Sequence, residues 1–217
     1  MSRTSRAIAH VIAPVIALVI AFGGIPLAGQ QPSAEALAQS LQQQYDKVRD
    51  FKASFVQTTK GAVLKVQSKG EGTVAVKKPG KMRWEYTKPE RQLIVSDGIR
   101  MYDYDPVTKE LNVAALPPDD QAPTATLFLA GKGNILRDFK VSKVDSPVAG
   151  TLALRLDPRR VDPDYEYLVV AFDPSSYQIR GLMTRDRQRG ESTIVFSDIK
   201  PNTNIPDKTF EFVQPRK

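Results

Sequence analysis

Short alternating segments separated by turn residues run through the chain from residue 51 onward, and they limit what it can fold into. In the first of them, Phe51, Ala53 and Phe55 alternate with polar residues, the period of two that is typical of a half-buried strand. Between two later segments, Asp97-Gly98 is a strong signal for a tight hairpin. The further candidate strands are 73–76, 82–86, 92–95, 99–104, 140–144, 152–156, 167–172, 178–184 and 192–198. Short strands at such intervals predict an antiparallel meander of about 11 strands in a single sheet.

One helix is predicted just before the strands, over residues 33–49. Its apolar side chains recur at helical spacing and form one stripe: Leu37, Leu41, Tyr45 and Val48. Ser33 is a suitable N-cap, because its hydroxyl can accept a hydrogen bond from the first turn. The opposite side is rich in glutamine, so the pattern indicates an amphipathic helix that packs on a core.

A second, shorter helix is predicted over residues 123–130, and Gly131 is a suitable stop. Leu127, Phe128 and Leu129 follow one another, so this helix is apolar on nearly every side. A short helix of this kind must be buried or must cover something apolar. Together the patterns predict a mainly β chain with helices, of the α+β class.

The N-terminal residues predict a secretory signal peptide. Arg3 and Arg6 precede a nearly continuous apolar run over residues 11–28, and no acidic residue occurs among them. The run approaches the length of a membrane span, but two glycines and two prolines fall inside it. We therefore expect cleavage of residues 1–29, which leaves a single exported domain of residues 30–217.

The side chains needed for several kinds of catalysis are missing from this domain. The sequence contains no cysteine, and its only histidine, His10, lies in the predicted signal peptide. Disulfides, thiolate or histidine metal sites and Ser-His-Asp triads are thereby excluded. Carboxylates such as Asp103 and Asp105 could share one side of a strand and serve a hydrolase. Solvated strand residues are the more ordinary interpretation, so we expect no enzyme, no metal and no cofactor.

Basic residues outnumber acidic ones, 31 Lys and Arg against 24 Asp and Glu, which gives a formal net charge of +7. They are spread along the chain rather than clustered, and no nucleic-acid-binding motif is present. A phosphate-binding loop and a dinucleotide-binding fingerprint are also missing. We therefore expect no nucleic-acid partner.

Large apolar and aromatic side chains are concentrated on the predicted strands and on the second helix. They are Phe51, Phe55, Met82, Trp84, Tyr86, Leu127, Phe128 and Leu129. A curved single sheet under short helices can enclose an apolar cavity with such residues. An ordinary core between a sheet and helices would use the same residues, and composition leaves both possibilities open.

Several short segments form an ordered pattern over about residues 35–215. They are Phe51–Gln57, Gly70-Glu71-Gly72, Lys77–Tyr86, Pro89, Gln92, Ile94–Gly98, Tyr104-Asp105-Pro106, Leu127–Gly131, Phe196–Asp198, Asn202, Phe210–Phe212 and Pro215. In this order they resemble the LolA family of outer-membrane lipoprotein carrier proteins. A signal peptide without a lipid-accepting cysteine fits that family and argues against LolB, the membrane-anchored receptor of the same fold.

The resemblance implies a curved antiparallel sheet that forms an unclosed barrel, covered by a lid of short α-helices. It implies a monomeric periplasmic chaperone that takes acylated lipoproteins from an inner-membrane ABC transporter and carries them to the outer membrane. The acceptor there could be a LolB-type receptor, which the sequence leaves open. The alternatives are a periplasmic lipid-binding sensor of the same fold and, from another class, the carboxylate-dependent hydrolase.

The resemblance also assigns roles to residues. The acyl-chain cavity is expected to be lined by Phe51, Phe55, Met82, Trp84, Tyr86, Leu127, Phe128 and Leu129. The helix with Leu37, Leu41, Tyr45 and Val48 is expected to belong to the lid. Lys78 matches a position where family members carry an arginine that hydrogen-bonds the lid, so it is the expected latch. Lysine keeps the positive charge of arginine but lacks its planar fork of donors.

Overall fold

One antiparallel sheet makes up most of the residues that the computed structural model describes, which are 31–62, 67–116, 133–162 and 165–214. Within them the strands are β1 (Asp50–Lys60), β2 (Gln67–Lys77), β3 (Lys81–Lys88), β4 (Gln92–Asp97), β5 (Arg100–Tyr104), β6 (Leu111–Ala115), β7 (Phe139–Val144), β8 (Leu152–Pro158), β9 (Tyr167–Phe172), β10 (Ile179–Arg185) and β11 (Glu191–Pro201). Their order in space is β6-β5-β4-β3-β2-β1-β11-β10-β9-β8-β7. The first and last strands in this order do not pair in the described residues, so the barrel is unclosed. The predicted single sheet of about 11 strands is confirmed.

The tight turns follow from local sequence. At the β4–β5 hairpin, Gly98 has a φ of +96°, a conformation that side-chain-bearing residues rarely adopt. The Asp97 carboxylate accepts hydrogen bonds from the backbone N–H groups of Ile99 and Arg100, both at 2.7 Å. These bonds close the turn and place β5 beside β4, as the Asp97-Gly98 pair predicted.

Helix α1 (Ala34–Lys47) packs on the half of the sheet formed by β7, β8 and β9. The Ser33 hydroxyl accepts a hydrogen bond from the N–H of Ala36 at 3.1 Å, so the predicted N-cap is present. The buried side chains of α1 are Leu37, Ala38 and Leu41, and they contact the short helix α2 (Ile135–Asp138) and the strands. Burying each leucine contributes about 1.5–3 kcal/mol. The N-terminal part of α1 is therefore firmly held.

A second apolar cluster covers the centre of the sheet, on β1, β2, β3 and β11. Its buried members are Ala53, Phe55, Val74, Val76, Met82 and Phe196. Ile179 and Leu182 of β10 pack against both this cluster and the one beneath α1, so the two clusters share one face. This face is called the inner face below.

The C-terminal segment crosses the opposite, outer face. After β11 it forms a 3₁₀ helix (Asp207–Phe210), and Ile205 and Phe210 are buried against Ala75 of β2. The Asp207 carboxylate accepts from the ammonium of Lys77 at 2.6 Å and forms an ion pair with a further lysine of β3. The segment therefore stabilises the centre of the sheet from the outer side, and it does not contribute to the cover of the inner face.

Two predictions lie outside the described residues. One is the signal peptide at residues 1–29, so the domain boundary that follows it stays a prediction. The other is the apolar helix at 123–130 with Leu127, Phe128 and Leu129. Among the residues that are described, none of the helices has the length and apolar character needed to cross a membrane.

Candidate functional site

An apolar cavity lies between the C-terminal part of α1 and the centre of the inner face. Its apolar lining consists of Tyr45, Val48, Phe51, Val76, Trp84, Tyr177, Ile179, Leu182, Phe196, Ile199 and Pro201. Its polar lining consists of Gln44, Arg49, Asp50, Lys78 and Gln178. The cavity has a volume of about 80 Å³. That volume holds a few water molecules, so an elongated ligand requires that the cavity open.

Aromatic rings form the floor of the cavity and the sheet surface beside it. The Phe55 ring lies 5.0 Å from Trp84 and 4.9 Å from Tyr86, both in edge-to-face geometry. Phe196 lies 6.2 Å from Phe51, also edge to face. Such contacts fix the rings in their positions. The result is a continuous, pre-formed apolar surface that runs along β1, β3 and β11.

The residues predicted for the site occupy three kinds of position. Phe51 and Trp84, and Tyr45 and Val48 of the α1 stripe, line the cavity directly, as does Lys78. A second set belongs to the apolar cluster on the sheet beside the cavity and does not line it: Phe55, Met82 and Tyr86. The other stripe residues, Leu37 and Leu41, are buried between α1 and the sheet and anchor the helix. Leu127, Phe128 and Leu129 lie outside the described residues. A role in ligand binding stays a prediction for all of them.

Sequence reasoning missed several lining residues, among them Ile179, Leu182, Phe196 and Ile199. The apolar run Ile194-Val195-Phe196 indicated a strand, but because all three residues are apolar it did not show which of them face inward. Nothing local showed that β11 pairs with β1, which brings Phe196 opposite Phe55.

Lys78 connects the β2–β3 turn to the C-terminal part of α1. Its ammonium donates a hydrogen bond to the backbone oxygen of Tyr45 at 2.5 Å and lies 3.3 Å from the centroid of the Tyr45 ring. Burial lowers the pKa of Lys78 to about 8, against an ordinary value of 10.5, and the Asp46 carboxylate opposes this shift. The lysine thus makes the contact expected of a latch, at the expense of partial desolvation.

Asn202 holds the same end of α1 from the other side. Its side-chain oxygen accepts from the N–H of Arg49 at 2.8 Å, and its amide group donates to the backbone oxygen of Lys47 at 3.1 Å. Its own N–H donates to the backbone oxygen of Asp50 at 2.7 Å. The N-terminal part of α1 is held by apolar burial, whereas the end above the cavity is held by a few polar bonds.

The carboxylates considered for hydrolysis have other partners. Asp103 accepts a hydrogen bond from the side-chain amide of Gln92 at 2.8 Å. Backbone hydrogen bonds from Val107 and Thr108 lower the pKa of Asp105 and close the turn after β5. In the described ranges no three His, Cys, Asp or Glu side chains are grouped so that they could hold a metal ion.

Comparison with known proteins gives a consistent result. The family model described as "Outer membrane lipoprotein carrier protein LolA" matches residues 46–213. An outer-membrane lipoprotein carrier protein of Nitrosomonas europaea is 31% identical over 187 residues, which cover 85% of this chain and 88% of that protein. The corresponding protein of Bordetella avium is 29% identical over 209 residues, with coverage of 93% and 94%. Among solved structures, a LolA superfamily protein from Nitrosomonas europaea has a TM-score of 0.45 at 15% identity and covers 81% of this chain and 97% of that one. The family match spans all the strands β1 to β11.

Proposed function

The chain belongs to the LolA family of outer membrane lipoprotein carrier proteins, and from this we propose that it is a periplasmic carrier that binds the acyl chains of lipoproteins. The observation that carries the proposal is the apolar cavity beneath the C-terminal part of α1. Each methylene group removed from water contributes about 0.8 kcal/mol. Several long acyl chains therefore cannot cross an aqueous compartment unless an apolar site shields them.

Loading requires that α1 move, because the closed cavity is far smaller than an acyl chain. The structure favours a movement at the C-terminal end of α1, where polar bonds from Lys78 and Asn202 replace apolar burial. Leu37 and Leu41 remain buried and act as the fixed end. A ligand that binds only the open form then shifts the population toward it, and release lets the helix close again.

The full proposed cycle has a donor and an acceptor. We infer that the donor is an inner-membrane lipoprotein-releasing ABC transporter and that the cargo is delivered to the outer membrane, with a LolB-type receptor where one exists. The carrier itself forms and breaks no covalent bond in this cycle. The support for these partners is family membership.

The experiment is a release assay with the exported protein and spheroplasts from its own source. After incubation, the soluble fraction that contains the carrier is isolated and its bound molecules are identified by mass spectrometry. We expect acylated lipoproteins in complex with the protein. Free phospholipid alone would favour the lipid-sensor alternative, and an empty, correctly folded protein would contradict the proposal.

A pair of variants tests whether the cavity holds the cargo. Trp84→Glu introduces a carboxylate into the apolar lining, and we expect a folded protein that releases no lipoprotein. The matched control is Thr73→Glu, because Thr73 is exposed on the outer face of β2. The control is expected to release lipoproteins as the unmodified protein does. Equal release by both variants would contradict the assignment of the cavity as the binding site of the cargo.

A further inference from the structure

The inner face changes from apolar to polar along the direction of its strands. On β1, Phe51, Ala53 and Phe55 are followed by Gln57, and on β11, Phe196 and Ile194 are followed by Ser192. On β3, the ring of Tyr86 belongs to the apolar floor, whereas its hydroxyl is bonded to Gln57. The change occurs at a similar level on neighbouring strands, so it forms a band across the sheet.

We define the polar band as Gln57, Tyr86, Gln92 and Ser192. Hydrogen bonds join Gln57, Tyr86 and Ser192, and the Gln92 amide group donates to the Asp103 carboxylate beside them. The Tyr86 hydroxyl donates to the side-chain oxygen of Gln57 at 2.6 Å. The Gln57 amide group donates to the Ser192 hydroxyl at 2.8 Å. Gln92 is the register partner of Tyr86 on β4. The side chains are half-buried, so the band is a defined polar surface rather than a freely solvated edge.

The band keeps capacity for further hydrogen bonds. An amide side chain carries two N–H donors, and one of those of Gln57 reaches Ser192. A serine hydroxyl that accepts one bond can still donate another, and a tyrosine hydroxyl that donates can still accept. Above Gln57, Tyr86 and Gln92 lies an open groove of about 360 Å³, and its lining also includes charged residues of both signs: Lys69, Lys88, Glu90, Arg91 and Asp105. A polar group of moderate size fits there without displacement of the sheet.

The band and the apolar cavity are the two ends of one amphipathic track. From Gln57 to Phe51 the track follows six residue-to-residue steps of β1, ~20 Å at the rise of a strand. Between them it passes the edge-to-face rings of Phe55 and Trp84. A ligand that suits this track has an apolar chain at one end and hydrogen-bonding groups at the other.

We propose that the polar band binds the ester and amide groups through which the acyl chains of the cargo are attached to its N-terminal residue. This inference rests on the proposed function and deepens it, because it gives the cargo an orientation. The acyl chains extend from the band over Phe55 and Trp84 into the cavity under α1. Ester carbonyls accept from Gln57 and Ser192, and an amide N–H donates to the Tyr86 oxygen.

The test compares two probes that differ in polar groups. One is a tripalmitoylated cysteinyl lipopeptide of neutral sequence, and the other is diphenylhexatriene, a hydrocarbon without hydrogen-bonding groups. Affinities are measured by fluorescence, for which Trp84, the only tryptophan in the sequence, is an internal reporter. In the variant Gln57→Leu/Tyr86→Phe we expect about tenfold weaker binding of the lipopeptide and hydrocarbon binding within about twofold of the unmodified protein.

The matched control exchanges a polar pair at the same level on the outer face. Thr58 and Thr193 are register partners of β1 and β11, so Thr58→Val/Thr193→Val makes a comparable change away from the band. The control is expected to bind both probes normally. Should the double variant of the band fail to fold, the single variant Tyr86→Phe keeps the ring in place and removes only the hydroxyl.

Several results would overturn the inference. One is an unchanged lipopeptide affinity in the folded band variant, and another is an equal loss for both probes. A third is a loss of affinity for the lipopeptide alone in the variant Gln44→Leu/Gln178→Leu. That result would place the polar groups of the lipopeptide at the α1 end of the cavity. If the unmodified protein binds the hydrocarbon but no lipopeptide, the proposed function fails as well, and this result is distinct from the others.

Discussion

A rise in pH should favour the closed position of α1 over the cavity, because the ammonium of Lys78 is partly buried in that position. In the closed form this side chain contacts the Tyr45 oxygen and ring, and burial lowers its pKa to about 8. When the end of α1 lifts, the ammonium returns to water and to its ordinary pKa of 10.5. The closed form therefore binds fewer protons than the open form between these two values. Rising pH favours the state that binds fewer protons, so it favours closure.

The magnitude follows from the two pKa values. At pH 7, Lys78 is protonated in both forms and has little influence on the equilibrium. At pH 9 it is about nine-tenths deprotonated in the closed form and still charged in the open form. The ratio of closed to open protein rises about tenfold over this interval, or about 1.4 kcal/mol. Where the closed form predominates and cargo binds only the open form, as proposed above, the apparent Kd of the cargo should rise by about the same factor.

The assay is a titration with an acylated lipopeptide that has no group titrating between pH 7 and pH 9. Binding is followed by the fluorescence of Trp84, which lines the cavity. The variant Lys78→Arg retains a charged donor at all these pH values, so we expect its Kd to be nearly independent of pH. Lys77→Arg is the control, since Lys77 contacts Asp207 on the outer face, and it should retain the tenfold effect.

Two results would refute this reasoning. The first is a Kd of the unmodified protein that is the same at pH 7 and pH 9. The second is an equal pH effect in Lys78→Arg, which would assign the titration to another group. A Kd that falls with rising pH would show that the ammonium stabilises the closed form more than burial disfavours it.

Three further predictions concern the scaffold, and urea denaturation measures each of them. Gly72→Ala should destabilise the fold by about 3 kcal/mol or more, because the added Cβ would lie 2.0 Å from a backbone oxygen of β3. Asn202→Ala should cost about 2 kcal/mol, because it removes two bonds to the end of α1 from a residue with a φ of +54°. Leu41→Ala should cost about 2–5 kcal/mol, because the side chain is fully buried at the fixed end of α1.

Each of these predictions has its own comparison. Gly70→Ala should be milder than the change at position 72, because its Cβ would lie 3.2 Å from the Tyr86 ring and 3.7 Å from the nearest backbone oxygen. Asn204→Ala is the comparison for Asn202→Ala. Asn204 has a φ of +55°, so this variant measures the cost of alanine at a left-handed backbone position. Equal losses at positions 202 and 204 would contradict the capping role of Asn202. A Leu41→Ala variant as stable as the unmodified protein would contradict the anchoring of α1.

Much of the fold could be predicted from the sequence because its determinants are local. Alternation in Phe51, Ala53 and Phe55 specifies a half-buried strand, and Asp97-Gly98 specifies a hairpin through its own backbone and carboxylate. The Ser33 cap and the apolar stripe specify α1 in the same way. These signals act over a few residues, so the ordered series of strands and the LolA family could be inferred without coordinates.

The arrangement of the site could not be predicted in the same way, because it depends on contacts between residues that are far apart in the sequence. Gln57 and Ser192 are 135 residues apart in sequence, and the register of β1 with β11 brings them within 2.8 Å. Lys78 reaches Tyr45 across a separation of 33 residues, although its place as a latch was expected from the resemblance.

Sequence alone thus determined helix α1, most of the strands and their order, and the family to which the protein belongs, whereas β6 and α2 were not predicted. Tertiary structure decided which side chains form the cavity, which only support its floor, and where the inner face becomes polar. The physical reason is that propensity, alternation and turn chemistry act between neighbours, whereas a cavity is defined by surfaces from strands that meet only after the chain has folded.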